Sequence, residues 1–148
     1  MVTYPDLLHL ADEESYRQHY ESLYCASRFP LRTIDGIPVS FGRDKFGHAF
    51  RESLEQRDKS VFSWERAKRM EWIGVALRDP DAVLTTSWNR DTRQYDQTRR
   101  NCRVQNNYIV VLRTTDDWGT AKFVTAFLAS GNAYRKICGG PVWKKAGR

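Results

Sequence analysis

The chain has 148 residues and a formal net charge of +6, with 41% hydrophobic and 13% aromatic residues. This length is typical of one domain with its own core, and the composition is that of a folded protein rather than a disordered one. No apolar run is long enough to cross a bilayer, and the early acidic residues do not fit a secretory leader, so we expect a cytoplasmic protein without a membrane partner.

Helical patterns fill the first half of the chain. A helix is predicted over 12–28, where apolar residues recur at helical spacing. A second is predicted over 44–56 with a single apolar stripe. A third is predicted over 63–79, capped by Ser63 and ended before Pro80. Because its second half is apolar on most sides, we expect this third helix to be buried.

Strand patterns fill the second half. Strands are predicted at about 82–88, 98–115 and 120–130, and the middle segment is long enough for two strands or one bent strand. Asp35-Gly36 is a turn signal between short extended segments. We therefore predict an α+β fold, with N-terminal helices packed on a mostly antiparallel sheet of about four strands. The single domain, 1–148, is divided into an acidic helical part (1–30), a central core (31–138) and a basic tail (139–148).

The last predicted strand carries a hydroxyl between two aromatic rings. Alternation along a strand places Phe123, Thr125 and Phe127 on one face. A hydroxyl in this position can offer a hydrogen bond to a ligand, although threonine is also a common strand-forming residue. Thr125 is therefore a candidate site residue.

The charge is unevenly distributed along the chain. Residues 1–30 hold five acidic residues and two arginines, a net of −3, so the remainder carries +9. Clustered arginines in a basic chain are typical of proteins that bind nucleic acid or another polyanion, and a solvated basic face gives the same composition. The densest cluster lies at 89–103. We predict RNA contacts there from Arg90, Arg93, Arg99, Arg100 and Arg103.

His48 is a candidate proton carrier. A helical projection places it away from the apolar stripe of the second predicted helix, so it is not expected to be a core histidine. Imidazole titrates near neutrality and can move a proton, as cleavage at a ribose 2′-hydroxyl requires. A surface histidine without a task fits the same pattern.

Arg66 and Arg69 project to the apolar side of the third predicted helix. Charge at the rim of a buried face is costly unless it has a partner. One interpretation is a phosphate clamp, which uses the planar donor fork of guanidinium. The other is a salt bridge to Glu65, Glu71 or a loop aspartate, and both interpretations use the same donor geometry.

The order of these motifs resembles a known family. The histidine in Phe46-Gly-His-Ala-Phe50, an R-A-x-R-M-x-W-I helix ending at Asp79-Pro80, and a final Phe-x-Thr-Ala-Phe strand are similar to the barnase/EndoU/colicin/RelE-type (BECR-fold) nuclease superfamily, in its phage- and toxin-associated branch. The resemblance spans about 32–130. It implies a four-stranded antiparallel sheet on helices, and metal-free RNA cleavage by a histidine, a basic residue, a threonine or serine and often a tyrosine.

Carried over by position, the resemblance implies catalytic roles for His48, for Arg66 or Arg69, and for Thr125. It implies RNA as the substrate, an antitoxin or immunity protein as a neutralising partner, and no metal or other cofactor. Phe127 departs from the family pattern, in which an aromatic hydroxyl is common at this position. Either Tyr134 supplies the missing hydroxyl, or the protein binds RNA without cutting it. These assignments come from the resemblance and not from spacing.

Other enzyme classes lack their sequence signals here. Neither G-x-x-x-x-G-K-[ST] nor G-x-G-x-x-G occurs, and there is no H-E-x-x-H or similar metal-ligand grouping. The three cysteines form no C-x-x-C pair, so no disulfide framework is expected. Two hypotheses remain: a metal-independent endoribonuclease, or a non-catalytic nucleic-acid- or protein-binding module on the same scaffold. They differ in whether His48, an arginine and Thr125 converge on one surface.

Overall fold

The computed structural model describes residues 2–26, 30–52, 61–89, 92–105 and 107–130. The described chain is α+β, as predicted, and its sheet is mostly antiparallel. The main sheet has six strands instead of about four. The two additional strands are the short ones that the turn at Asp35-Gly36 joins, and the long predicted segment forms two strands, one of its two predicted alternatives.

The element bounds follow in chain order. The helical elements are α1 (Glu13–Tyr20), a π-helical turn (Glu21–Cys25), α2 (Lys45–Phe50), α3 (Trp64–Ala67) and α4 (Met70–Leu77). The strands are β1 (Leu31–Arg32), β2 (Pro38–Ser40), β3 (Arg51–Glu52), β4 (Val61–Phe62), β5 (Val83–Asn89), β6 (Gln94–Val104), β7 (Tyr108–Thr114) and β8 (Ala121–Leu128). The main sheet runs β1-β2-β8-β7-β6-β5 with a parallel β2–β8 ladder, and β3 pairs with β4 in a separate ribbon.

Two of the predicted helices are shorter than their patterns indicate. The second helix ends at Phe50, because Arg51 is extended and the Phe50 carbonyl accepts a hydrogen bond from the Ser63 N–H at 2.8 Å. Pairing between β3 and β4 thus replaces the next helical turn. The third helix begins at its predicted Ser63 cap but breaks at Arg69, whose φ of −104° and ψ of 13° separate α3 from α4.

Aromatic side chains attach the N-terminal helix to the sheet. Tyr20 of α1 is fully buried, and its ring lies 5.6 Å from that of Phe50 and 6.3 Å from that of Phe123. Its hydroxyl donates to the Gly42 carbonyl at 2.8 Å. Burial of large rings is a major source of core stability. The acidic N-terminal part therefore contributes directly to the core.

A buried ion pair joins the β1–β2 turn to β6. Arg100 is 0% exposed, and its Nη1 donates to both carboxylate oxygens of Asp35, at 2.9 and 3.1 Å. Burial raises the pKa of Asp35, but hydrogen bonds from Arg100 and Thr33 outweigh that effect and lower the pKa below its usual value. Gly36, at a φ of +88°, forms the turn that presents the carboxylate, a conformation that glycine adopts readily.

Removing the Asp35 carboxylate should destabilise the fold strongly. Asp35→Ala leaves the Arg100 charge buried without this partner. We expect the free energy of unfolding, measured in urea, to fall by about 3 kcal/mol. This value is at the lower end of the range for a broken buried ion pair, because Asp35 is partly exposed. Glu21→Ala is the matched control. It removes the exposed pair with Arg43 and should cost at most about 1 kcal/mol.

The acid dependence checks the same interaction. The pKa of Asp35 is lower in the folded protein than in the unfolded chain, where it is about 3.9. The ionised carboxylate therefore contributes its full stabilisation above the pKa of the unfolded chain, and this stabilisation is lost as the pH falls through the pKa of the folded protein. The stability difference between wild type and Asp35→Ala should therefore shrink below about pH 4. Equal losses in Asp35→Ala and Glu21→Ala at neutral pH would contradict the assigned role.

Candidate nucleic-acid interface

A bulge in β8 changes the predicted face of one residue. The pairing advances by two residues of β8 for one of β7, so Val124 is an extra residue. Phe123 consequently packs in the main core at 0% exposure, whereas Val124 and Phe127 belong to a second, smaller cluster. The predicted grouping of Phe123 with Thr125 and Phe127 is therefore wrong for Phe123. Bulges are frequent next to functional sites, because they redirect side chains.

The face of the sheet that carries this second cluster is called the outer face below. Three rungs of directly paired residues cross it from β6 through β7 to β8. The first rung is Arg99, Arg113 and Lys122, the second is Asn101, Val111 and Thr125, and the third is Arg103, Ile109 and Phe127. Thr125 thus lies between a rung of three cations and a rung that begins with Arg103.

Arg66 connects α2 with the outer face. Its Nη1 donates to the Ala49 carbonyl at 3.4 Å, and its guanidinium carbon lies 5.4 Å from the centre of the Phe127 ring. Ala49 directly follows His48, which is exposed as the helical projection predicts. α2 packs along β8. Arg66 therefore links the segment that bears His48 to a ring two residues after Thr125.

Arg69 is engaged away from this group. Its Nη1 donates to the Glu65 carbonyl at 2.8 Å and to the Glu65 carboxylate at 3.0 Å, and its guanidinium lies over the Trp72 ring. The hydrogen bond from Arg69 lowers the pKa of Glu65. Of the two interpretations of Arg69, the structure shows the salt bridge. Arg66 lies within α3 and Arg69 lies at the break between α3 and α4, and their guanidinium groups have different environments.

The five arginines predicted to contact RNA do not share one surface. Arg99 and Arg103 lie on the outer face, two steps of alternation apart. Arg100 points to the opposite side, where it is buried against Asp35, so the prediction that it contacts RNA is wrong. The exposed Arg93 lies between β5 and β6. Arg90 falls outside the described residues, as do Tyr134 and the tail at 139–148.

The Thr125 hydroxyl has unused hydrogen-bonding capacity. Its Oγ1 is buried and accepts or donates no hydrogen bond within the described ranges. A buried polar atom in this condition costs about 1–3 kcal/mol relative to a satisfied one, and a ligand oxygen would satisfy it. Thr114 Oγ1, on β7, is buried in the same way. Because Thr114 pairs with Ala121 on the core face, it provides an internal control for Thr125.

Sequence reasoning missed Arg113 and Lys122 as site residues. Each is exposed and lies beside the β7–β8 turn, and together they line a cleft of about 200 Å³. The sequence pattern already indicated that these two residues face each other, because a hairpin centred on the polar segment 115–120 places positions 113 and 122 on opposite strands. Their alignment with Arg99 depends on the β6–β7 register, which the sequence pattern does not define.

Comparisons of the chain with protein-family models, with curated proteins and with solved structures found no match. In the described part of the chain, no three His, Cys, Asp or Glu side chains come together as a metal-binding group. The helices described are all too short or too polar to cross a membrane. Function is therefore inferred from the side chains of the outer face and of α2.

The partnerless hydroxyls lead to a stability prediction. Thr125→Val and Thr114→Val each replace a buried hydroxyl that has no hydrogen-bond partner among the described residues with a methyl group of similar shape. We expect both variants to melt at or above the wild-type temperature, since an unsatisfied polar atom is removed. Thermal unfolding followed by circular dichroism measures this effect. A clear loss of stability in Thr125→Val alone would show that its hydroxyl already has a structural partner.

Proposed function

We propose that the protein is a metal-independent endoribonuclease in which His48, Arg66 and Thr125 act on the scissile phosphate. The observation that supports this most directly is the position of Arg66. Its guanidinium donates a hydrogen bond to the carbonyl of Ala49, the residue after His48, and it lies over the ring of Phe127, two residues after Thr125. A proton carrier, a cation and a hydroxyl on adjacent elements are the groups that 2′-hydroxyl attack on RNA requires. The sequence resemblance to BECR-fold nucleases favours the same reaction.

Each group has a distinct task in this mechanism. His48 removes the proton from the 2′-hydroxyl or protonates the departing 5′-oxygen, because imidazole exchanges protons near neutral pH. The Arg66 guanidinium neutralises the negative charge that develops on the phosphorane. Thr125 Oγ1 donates to a non-bridging oxygen. The 2′-oxygen forms a bond to phosphorus as the bond to the 5′-oxygen breaks, and solvent water carries the proton that His48 does not transfer. The products are a 2′,3′-cyclic phosphate and a 5′-hydroxyl.

A second candidate is a non-catalytic nucleic-acid-binding module on the same scaffold. Phe127 favours it, because this ring has no hydroxyl with which to transfer a proton, and its contact with the Arg66 guanidinium is a cation–π interaction. The cations of the outer face would serve binding in either case. The association with a toxin or a phage, and a neutralising antitoxin or immunity protein, stay predictions from the resemblance.

Cleavage of total RNA in the presence of a chelator tests the reaction. We expect cleavage to persist and to leave 2′,3′-cyclic phosphate ends, identified by end-group analysis of the products. His48→Ala should lower the rate by about a hundredfold or more, as expected for a positioned acid or base. Cleavage that disappears with chelator, or products with 5′-phosphates, would exclude this mechanism. Tight RNA binding without cleavage would favour the second candidate.

Matched variants separate the catalytic residues from their neighbours. Arg66→Gln should strongly reduce the rate of RNA cleavage. Arg69→Gln removes the salt bridge with Glu65 and should retain most of the wild-type cleavage rate. Thr125→Val should slow cleavage by about tenfold or more, in line with loss of one charge-stabilising donor, and Thr114→Val should cleave like the wild type. The cleavage rates of all variants are measured on the same RNA substrate and at matched concentrations of folded protein. Equal rates within each pair would remove Arg66 and Thr125 from the proposed site.

A further inference from the structure

The first rung of the outer face holds three cations at directly facing positions. Arg99 pairs with Arg113, and Arg113 pairs with Lys122. Adjacent strands lie about 4.8 Å apart, so these three backbone positions span about 10 Å. Like charges directly opposite one another destabilise a sheet. This cationic rung therefore imposes a stability cost that points to a binding role.

No carboxylate in the described ranges forms an ion pair with the cationic rung. Asp117, in the adjoining turn, accepts hydrogen bonds from the Thr115 hydroxyl and from the Gly119 N–H. Arg113 and Lys122 are exposed, and the buried Nε of Arg99 has no hydrogen-bond partner among the described residues. Within the described ranges, the positive charge of the rung is therefore not neutralised by a carboxylate.

We propose that the cationic rung binds backbone phosphates of a single RNA strand on one side of the scissile phosphate, an inference that rests on the proposed ribonuclease function. Thr125 lies on the next rung, and Arg103 and Arg66 lie at the rung beyond it. Two residues of strand correspond to about 7 Å. Cations on both sides of Thr125 match a chain of phosphates that passes over it. Arginine offers a planar donor fork and lysine a point charge, and both bind phosphate.

The dimensions favour a single strand over a duplex. The rung covers about 10 Å, whereas domains that recognise duplex RNA by shape contact successive grooves over about 16 base pairs. Single strands are also held by basic grooves that follow the backbone.

Salt-dependent binding of an uncleavable strand tests the inference. Fluorescein-labelled oligo(dT) is suitable, because it lacks the 2′-hydroxyl that attacks in the proposed reaction. For a single strand the slope of log K against log salt is about 0.7 per phosphate contact, so Arg113→Gln/Lys122→Gln should flatten it by about 1.4. The same variant should melt at or above the wild-type temperature, since it removes facing like charges.

Arg32→Gln/Arg43→Gln is the charge-matched control. It lowers the net charge by the same amount, and these two arginines already bond to the Gly36 carbonyl and to Glu21. Its salt slope should equal that of the wild type. An unchanged slope in the rung variant, or an equal change in the control, would overturn the proposal. Tighter binding to duplex RNA than to a single strand, or binding to poly-glutamate but not to oligo(dT), would also overturn it.

The result is distinguishable from that of the ribonuclease test. A flattened slope in the rung variant together with no RNA cleavage by the wild type would establish the strand-binding surface and reject the enzymatic activity. Cleavage by the wild type with no change in slope would retain the activity and reject the rung as the binding surface.

Discussion

The buried pair between Arg100 and Asp35 determines which side chains of β6 reach the outer face. Alternation along the strand means that a core-facing Arg100 directs Arg99 and Arg103 to the other side. A slip of one residue would bury those two arginines instead, without the carboxylate that the β1–β2 turn supplies to Arg100. The pair therefore does more than stabilise the sheet. It selects one register, and that register aligns Arg99 with the cations of β7 and β8.

The bulge in β8 has the corresponding effect on the neighbouring rung. If the same sequence formed a regular strand without the bulge at Val124, alternation would place Thr125 on the same face as Phe123, which is in the main core. The bulge separates them and brings Thr125 beside Val111, between two levels of positive charge. Facing cations, and a hydroxyl without a hydrogen-bond partner in the part of the chain that the structure describes, both oppose folding. Natural proteins accept such local costs mainly where a site requires them.

Two arginines of the third helical segment are chemically identical but contact different parts of the structure. Arg66 and Arg69 are three residues apart and would share a face of one continuous helix. In this structure Arg69 contacts Glu65 and Trp72, its near neighbours along the chain, whereas Arg66 contacts the Ala49 carbonyl and Phe127, which are distant in the sequence. The fold thus assigns one guanidinium to stabilising the helical layer and the other to the neighbourhood of His48.

The sequence by itself determined the fold class, the start of α1 at Asp12 and of α3 at Ser63, and the hairpin that ends in β8, because caps, turn signals and periodicity are local properties. It also predicted an exposed His48. Tertiary structure decided the two extra strands, the break at Arg69, the bulge at Val124 and the burial of Arg100. Each of these depends on a partner distant in the chain, as with Asp35 for Arg100. Composition indicates that arginines are abundant, but only the pairing of strands decides which of them lie on the outer face.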